Sequence, residues 1–142
     1  KDGAKWLDAG TAAKEIIATG LLKLGIIKDK KEVNKYYPHG LSHHIGLDVH
    51  DRGFSQSLKK GMVITIEPGI YIPEGSDCEK KWWGIAVRIE DDALITQDGY
   101  ELLSFFAPRK IEDIEKMVAQ KSAVDDFKLP KLKSAEKDKK AF

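Results

Sequence analysis

Only one cysteine, Cys78, occurs in the 142 residues. No internal disulfide can form, and a lone thiol fits a reducing compartment, read here as the cytoplasm. Excess charge is missing too. Lys and Arg number 24 against 23 Asp and Glu, a formal net charge of +1, which offers nothing to nucleic acid or an anionic membrane. No apolar run approaches the length that spans a bilayer, and the N-terminus lacks a signal-peptide layout. There is no initiator Met before Lys1-Asp2-Gly3, so the start reads as an internal boundary of a longer protein. No internal repeat is visible. What remains, 42% apolar and 33% charged residues, suits one soluble globular domain with a core of its own.

The first periodic stretch is Thr11 to Leu24. Ala13, Ile16, Ile17, Gly20, Leu21 and Leu24 recur at three- and four-residue steps, which predicts one buried helical face. Thr11 suits the N-cap and Gly25 the left-handed residue after the last turn. Lys28 to Lys35 reads as a charged, solvent-facing connector. Gly61 to Tyr71 predicts a strand kinked at Pro68-Gly69, with Val63, Thr65 and Glu67 on one face and Ile64 and Ile66 on the other. Ile85 to Thr96 predicts a hairpin turning at Asp91-Asp92, with Ala86, Arg88 and Glu90 sharing a face. Glu101 to Ala107 reads as a last strand. A helix from about Ile111 to Gln120 follows Pro108, with Ile111, Ile114, Met117 and Val118 as its buried stripe. Residues 1–120 are therefore read as the domain, and 121–142 as a lysine-rich tail that is frayed or disordered.

Chemistry concentrates in His39-Gly-Leu-Ser-His43-His44-Ile-Gly-Leu-Asp48-Val-His50-Asp51, which holds all four histidines. His39 and His43 are four apart, but residue 40 is Gly, and the glycines at 40, 46 and 53 disfavour the helix that the zinc motif H-E-x-x-H requires. The segment is expected as loop, short strand and turn, its glycines permitting close backbone approach. Downstream, Val63-Ile-Thr-Ile-Glu67-Pro-Gly and Ala86-Val-Arg88-Ile-Glu90 each close an apolar run with a carboxylate. Imidazole plus separated carboxylates are the materials of a hard-to-borderline metal site. Taken alone, the same residues also fit strand-end carboxylates in water, a structural histidine, and an Arg88 paired with Asp91 or Asp92.

Those three segments, in that order, resemble the second half of the pita-bread metallopeptidases, most closely the Xaa-Pro aminopeptidases and prolidases. The resemblance runs from about Asp8 to Val118. It implies an α+β fold, the C-terminal half of a pita-bread, with a curved antiparallel sheet and helices packed on its outer face. It also implies that His43 and Glu67 bind metal and that Glu90 bridges two divalent ions, most often manganese, with cobalt or zinc as alternatives. By the same resemblance His39 and His50 contact the substrate and stabilise the tetrahedral intermediate, Arg88 holds Glu90 or the substrate, and Tyr71 lines the cleft. His44 falls where the family is permissive and reads as structural. The implied reaction is hydrolysis of the bond between an N-terminal residue and proline by a hydroxide shared between the two metals. The implied partners are peptides with proline in second position, the absent first half of the same protein, and a further copy in a homo-oligomer.

The family's site takes two more ligands, aspartates well upstream of the histidine. Asp2 and Asp8 sit just before the first helix and do not fit them. The chain is thus expected to be a C-terminal fragment that is inactive alone. Trp82-Trp83-Gly84 and Ala107-Pro-Arg-Lys-Ile-Glu-Asp-Ile-Glu115 favour aminopeptidase over prolidase. Methionine aminopeptidases differ around the histidine, creatinase works without metal, and a non-catalytic pita-bread binding module would often have lost the ligand set. His43, Glu67 and Glu90 are all present here.

Overall fold

The computed structural model describes residues 1–53, 56–122 and 124–128. The first helix, α1, spans Trp6–Lys23, so it begins five residues ahead of Thr11. Thr11 lies inside it, its hydroxyl donating back to the Leu7 carbonyl at 2.9 Å. The early start has a tertiary cause. Lys5, at the N-cap, bridges Ser57, and the Trp6 N–H, which has no partner within the helix, donates to the Gln56 carbonyl at 3.1 Å. The other end follows the expectation. Gly25 has φ +71°, and the N–H groups of Gly25 and Ile26 return to the carbonyls of Leu22 and Leu21, a Schellman stop.

The buried face of α1 is rotated from the expected one. Ala18 and Leu21 are buried with Ile17 packed beside them, but Ile16 is 73% exposed and Leu24 51%. What decides the face is the chain that folds back under it. Ile26, Ile27, Val33, Tyr36, Tyr37 and, from the sheet, Ile72 complete this core. Lys30–Lys35 is a 3₁₀ helix closed by a capping box between Asp29 and Glu32. It is charged outside as expected, but it also contributes buried Val33.

The strands are β1 (Val63–Ile66), β2 (Gly69–Ile72), β3 (Ile85–Arg88), β4 (Asp91–Ile95) and β5 (Tyr100–Leu102). β4 pairs with β1 and β5, and β3 pairs with β2, all antiparallel. The hairpin expected at Asp91-Asp92 does not exist: both residues lie inside β4, and the chain runs on from β3 into β4. The ribbon turns instead through residues 73–84. Val63 faces Leu94, Ile66 faces Asp91, Gly69 faces Arg88 and Ile72 faces Ile85, so the two ladders keep one register. The break between them falls at Pro68, which has no N–H to give a ladder. β5 stops at Leu102, short of the expected Ala107, and a turn follows in which the Ala107 N–H meets the Ser104 carbonyl at 2.9 Å.

A second core lies on the Ile64 face of the sheet, where Leu58, Ile64, Ala93 and Ile95 are buried with Trp6, Met62, Ile66 and Leu102 against them. Strand alternation is what sends Ile64 and Ile66 there and Thr65 and Glu67 to the opposite face.

Residues 1–107 and 108–142 form two units. The second contains α2, Ile111–Val118, with Glu112 and Asp113 in its first turn and Lys116 in its last, charges that suit the helix dipole. Its expected buried stripe is exposed: Ile111 70%, Ile114 37%, Met117 55% and Val118 78%. Of the tail read as frayed, residues 129–142 and Ala123 lie outside the described residues. Among the described ones, Lys121 pairs with Asp126 at 2.7 Å and Asp125 accepts from the Ser122 N–H at 2.9 Å.

Candidate metal centre

The break in the ribbon positions the site. Carrying the shared register through it sets Glu67 opposite Glu90 and Pro68 opposite Ile89, and the Ile89 N–H reaches the Pro68 carbonyl at 3.4 Å. On the other edge of β1, residues 41–45 lie antiparallel to the strand. Glu67, Thr65 and Ile45 donate their N–H groups to Leu41, His43 and Val63 at 2.9, 3.0 and 3.1 Å. The glycine-rich segment is therefore extended where it meets β1 and looped from residue 46 onward. This lays His43 beside Thr65 and directs its ring to Glu67.

His43, Glu67 and Glu90 each offer a donor atom, and the three atoms lie within 4.8 Å of one another. His43 Nε2 is 3.1 Å from Glu67 Oε1, with both side chains largely covered. His43 Nδ1 is 3.0 Å from the His44 carbonyl. A carbonyl only accepts, so Nδ1 carries the proton and Nε2 is left facing the carboxylates. Thr65 is fully buried. Its Oγ1 accepts from the His43 backbone N–H at 2.9 Å and donates to Glu67 Oε1 at 3.0 Å, so one hydroxyl orients both groups.

Arg88 Nε lies 3.8 Å from an oxygen of Glu67 and 3.8 Å from one of Glu90. Its guanidinium also meets the Tyr71 hydroxyl at 3.5 Å. That hydroxyl foremost, then the two carboxylates, lifts the guanidinium above its ordinary range. Tyr71 in turn lies 3.1 Å from His39 Nε2, while His39 Nδ1 sits 2.7 Å from the Gly40 carbonyl. Nδ1 is therefore the donor in His39 as well, and the tyrosine hydroxyl donates to Nε2. His50 stands edge-on to His43 with ring centroids 4.3 Å apart. All seven residues singled out in the sequence thus gather at one place, and Arg88 reaches the glutamates.

Further contributors are not among those seven. Tyr37 is 3% exposed and edge-on to His39 at 5.1 Å. Burial, then Glu67 and Tyr71, pushes its hydroxyl pKa up. Thr65 could have been found, because it sits two residues before Glu67 on the same strand face. Gly69 is required by close approach: a Cβ there would stand 2.5 Å from the Tyr71 hydroxyl and 2.9 Å from His39 Nε2.

One imidazole nitrogen with a fixed lone pair and two carboxylates from facing strands make a candidate metal site of mixed nitrogen and oxygen donors. The donor set fits a divalent first-row ion, since the bare arrangement leaves two like charges and a nitrogen acceptor turned toward one point.

The chain belongs to metallopeptidase family M24, whose model matches residues 1–97. It is 41% identical over 121 residues to the mitochondrial intermediate cleaving peptidase 55 of Arabidopsis thaliana, covering 83% of this chain and 24% of that protein. It is 47% identical to human Xaa-Pro aminopeptidase 3, covering 75% of this chain and 23% of that protein. Among solved structures, aminopeptidase P from E. coli with the inhibitor Pro-Leu superposes with a TM-score of 0.75 at 41% identity, over 84% of this chain and 30% of that one. Pseudomonas aeruginosa aminopeptidase PepP gives 0.77 at 38% identity, over 83% and 30%. The fold is therefore part of the α+β pita-bread of aminopeptidase P. This chain spans 24% and 30% of the lengths of the Arabidopsis protein and E. coli aminopeptidase P.

Proposed function

We propose that this chain is the C-terminal catalytic portion of a metal-dependent Xaa-Pro aminopeptidase, which removes the residue ahead of a proline in second position. The observation that carries the reading is the convergence of His43, Glu67 and Glu90 at the ribbon break, in a chain whose family is metallopeptidase. His43 and Glu67 would be ligands of one divalent ion, and Glu90 would serve both that ion and a second. The remaining carboxylate ligands come from residues outside this chain. Manganese is the favoured ion, with cobalt and zinc as alternatives. Such ions supply Lewis-acid polarisation of the scissile carbonyl and activation of water at neutral pH.

The chain's own residues do the rest. Arg88 keeps the two glutamates at a fixed separation by charge-assisted contacts. His50 presents an imidazole next to the ligands, where it can donate to the carbonyl oxygen as negative charge develops. His39, held by Tyr71 and Gly40, lines the proline side. The lone Cys78 supports a reducing compartment, the cytoplasm. None of the described helices is long and apolar enough to cross a membrane. Exposed Phe105 and Phe106, 73% and 77%, support burial against a further part of the protein or a second copy.

The test is turnover of Xaa-Pro tripeptides by the longer polypeptide that contains this chain, with Mn²⁺ and after chelation. Metal-dependent release of the first residue, abolished in Glu90→Ala, is expected. Cleavage confined to Xaa-Pro dipeptides would make the protein a prolidase, and no cleavage with intact metal binding would make it a binding module.

A further inference from the structure

The carbonyl of residue 44 accepts two donors, His43 Nδ1 at 3.0 Å and the Asp51 N–H at 3.1 Å. Its hold on Nδ1 is what turns the Nε2 lone pair toward the glutamates. The same residue pairs by backbone bridges with Asp51 on one side and Ile64 on the other. Its ring is stacked on Trp6, with centroids 4.6 Å apart and planes 26° from parallel. Gly53 closes over the ring so tightly that a Cβ there would overlap it. Trp6 is the first residue of α1 and packs into the second core. The loop that begins at His44 is otherwise open to solvent. Leu47 and Val49 are 103% and 73% exposed, and this loop carries His50 up to the His43 ring.

We propose that the stack of Trp6 on His44 is the clamp that sets the metal-binding tautomer of His43 and holds His50 over it. Trp6 and His44 are positioning residues. The indole fixes the imidazole of His44, the imidazole fixes its peptide, and the peptide carbonyl fixes the proton on His43 Nδ1. A flat ring is needed because the slot between helix and glycine is one ring thick, and stacked rings resist sliding as well as separation. The inference rests on the reading of His43 as a ligand. It adds that the start of α1, with no contact to the donor atoms, governs their protonation pattern.

The experiment uses the ¹⁵N-labelled 142-residue chain. Two-bond ¹H–¹⁵N spectra are recorded at about pH 9, above the ordinary imidazole range, with Mn²⁺ and Zn²⁺ calorimetry in parallel. Wild type should show His43 as one tautomer, protonated on Nδ1. Trp6→Ala and His44→Ala should show both tautomers and lose the contact between the His43 and His50 rings. Their metal affinity should fall about tenfold, the scale on which such outer partners act. Trp6→Phe and His44→Phe, which keep a stacked pair, should restore the single tautomer. A simple packing role would lower stability without moving the tautomer. Should Trp6→Ala fail to fold, His44→Ala decides, since it leaves α1 and its core intact. A single unchanged tautomer in folded His44→Ala overturns the clamp even where wild type binds metal. Mixed tautomers in folded His44→Ala uphold the clamp even where the wild-type chain binds no metal, and the ligand role of His43 is then decided separately, by metal binding of His43→Ala in the longer polypeptide.

Discussion

Glu67 and Glu90 sit opposite each other in a ribbon whose ladder is interrupted at their level. Each belongs to a different strand boundary, and neither makes a strand pair there. The interruption leaves both carboxylates directed at one point, with Arg88 3.8 Å from each. Two facing glutamates repel unless a cation stands between them. The guanidinium covers part of that need from one side, while the lone pair of His43 Nε2 adds a third donor on the other.

Nε2 of His43 and Oε1 of Glu67 are both acceptors and lie 3.1 Å apart, a pair that one divalent cation would satisfy from both sides. Glu67→Gln and His43→Ala should therefore each weaken Mn²⁺ or Zn²⁺ binding, by about tenfold or more. Calorimetry measures this. Affinity unchanged in both variants would place the ion elsewhere.

Thr65→Val keeps shape but removes the hydroxyl that takes the His43 N–H and supports Glu67. A buried N–H is then left without its partner, a loss of about 1–3 kcal/mol. Thr65→Ser should lose only about 1 kcal/mol for its methyl group and retain metal binding. Denaturant melts of the pair separate the two effects; equal losses would show that the hydroxyl contributes nothing.

Gly69→Ala should disrupt the link between His39 and Tyr71, because the added methyl meets both at under van der Waals distance. Overpacking of this kind costs about 1–3 kcal/mol. The signature is a loss of the His39–Tyr71 contact in NMR spectra while His43 and Glu67 keep theirs. An unchanged His39 environment would mean that the rings swing aside freely.

The carboxyl of Glu32 is held down to about 2 by the Lys35 ammonium first and by the Lys28 N–H next. A lowered carboxylate pKa stabilises the fold above the unfolded value of 4.5, and that stability is lost as pH falls toward 2. The 3₁₀ helix Lys30–Lys35 should accordingly loosen only in that acid window. A carboxyl titration followed by NMR should find Glu32 well below 4.5. In Lys35→Met its midpoint should move back toward 4.5.

How much of this was legible depended on whether the signal was local. The carboxylates at the ends of apolar runs and the alternation of Thr65 with Ile64 and Ile66 survive because a strand's period of two is fixed by its own backbone. The stop at Gly25 survives for the same reason. The failures are tertiary. Asp91-Asp92 looks like a turn until β1 is there to pair with it. Thr11 looks like a cap until Gln56 supplies the acceptor that lets α1 start sooner. Ile16 looks buried because periodicity gives a face but not which neighbour arrives to cover it. The stripe on α2 is real in sequence and uncovered in the described structure. His44 looks merely structural, because nothing in a run of residues shows that its carbonyl is the one His43 uses.

The single register of the ribbon also bears on how this region can change in length. Adding or deleting one residue within Val63–Ile72 or Ile85–Ile95 would shift one half of the ribbon against the other. Every side chain beyond that point would then turn to the opposite face, sending one glutamate into the core beside Ile64 and bringing an aliphatic to the candidate metal site. Residues 73–84, where the ribbon turns, carry no such constraint. Insertions and deletions among functional relatives should therefore collect there, and a chain with an indel inside the ribbon should have lost the convergence of His43, Glu67 and Glu90.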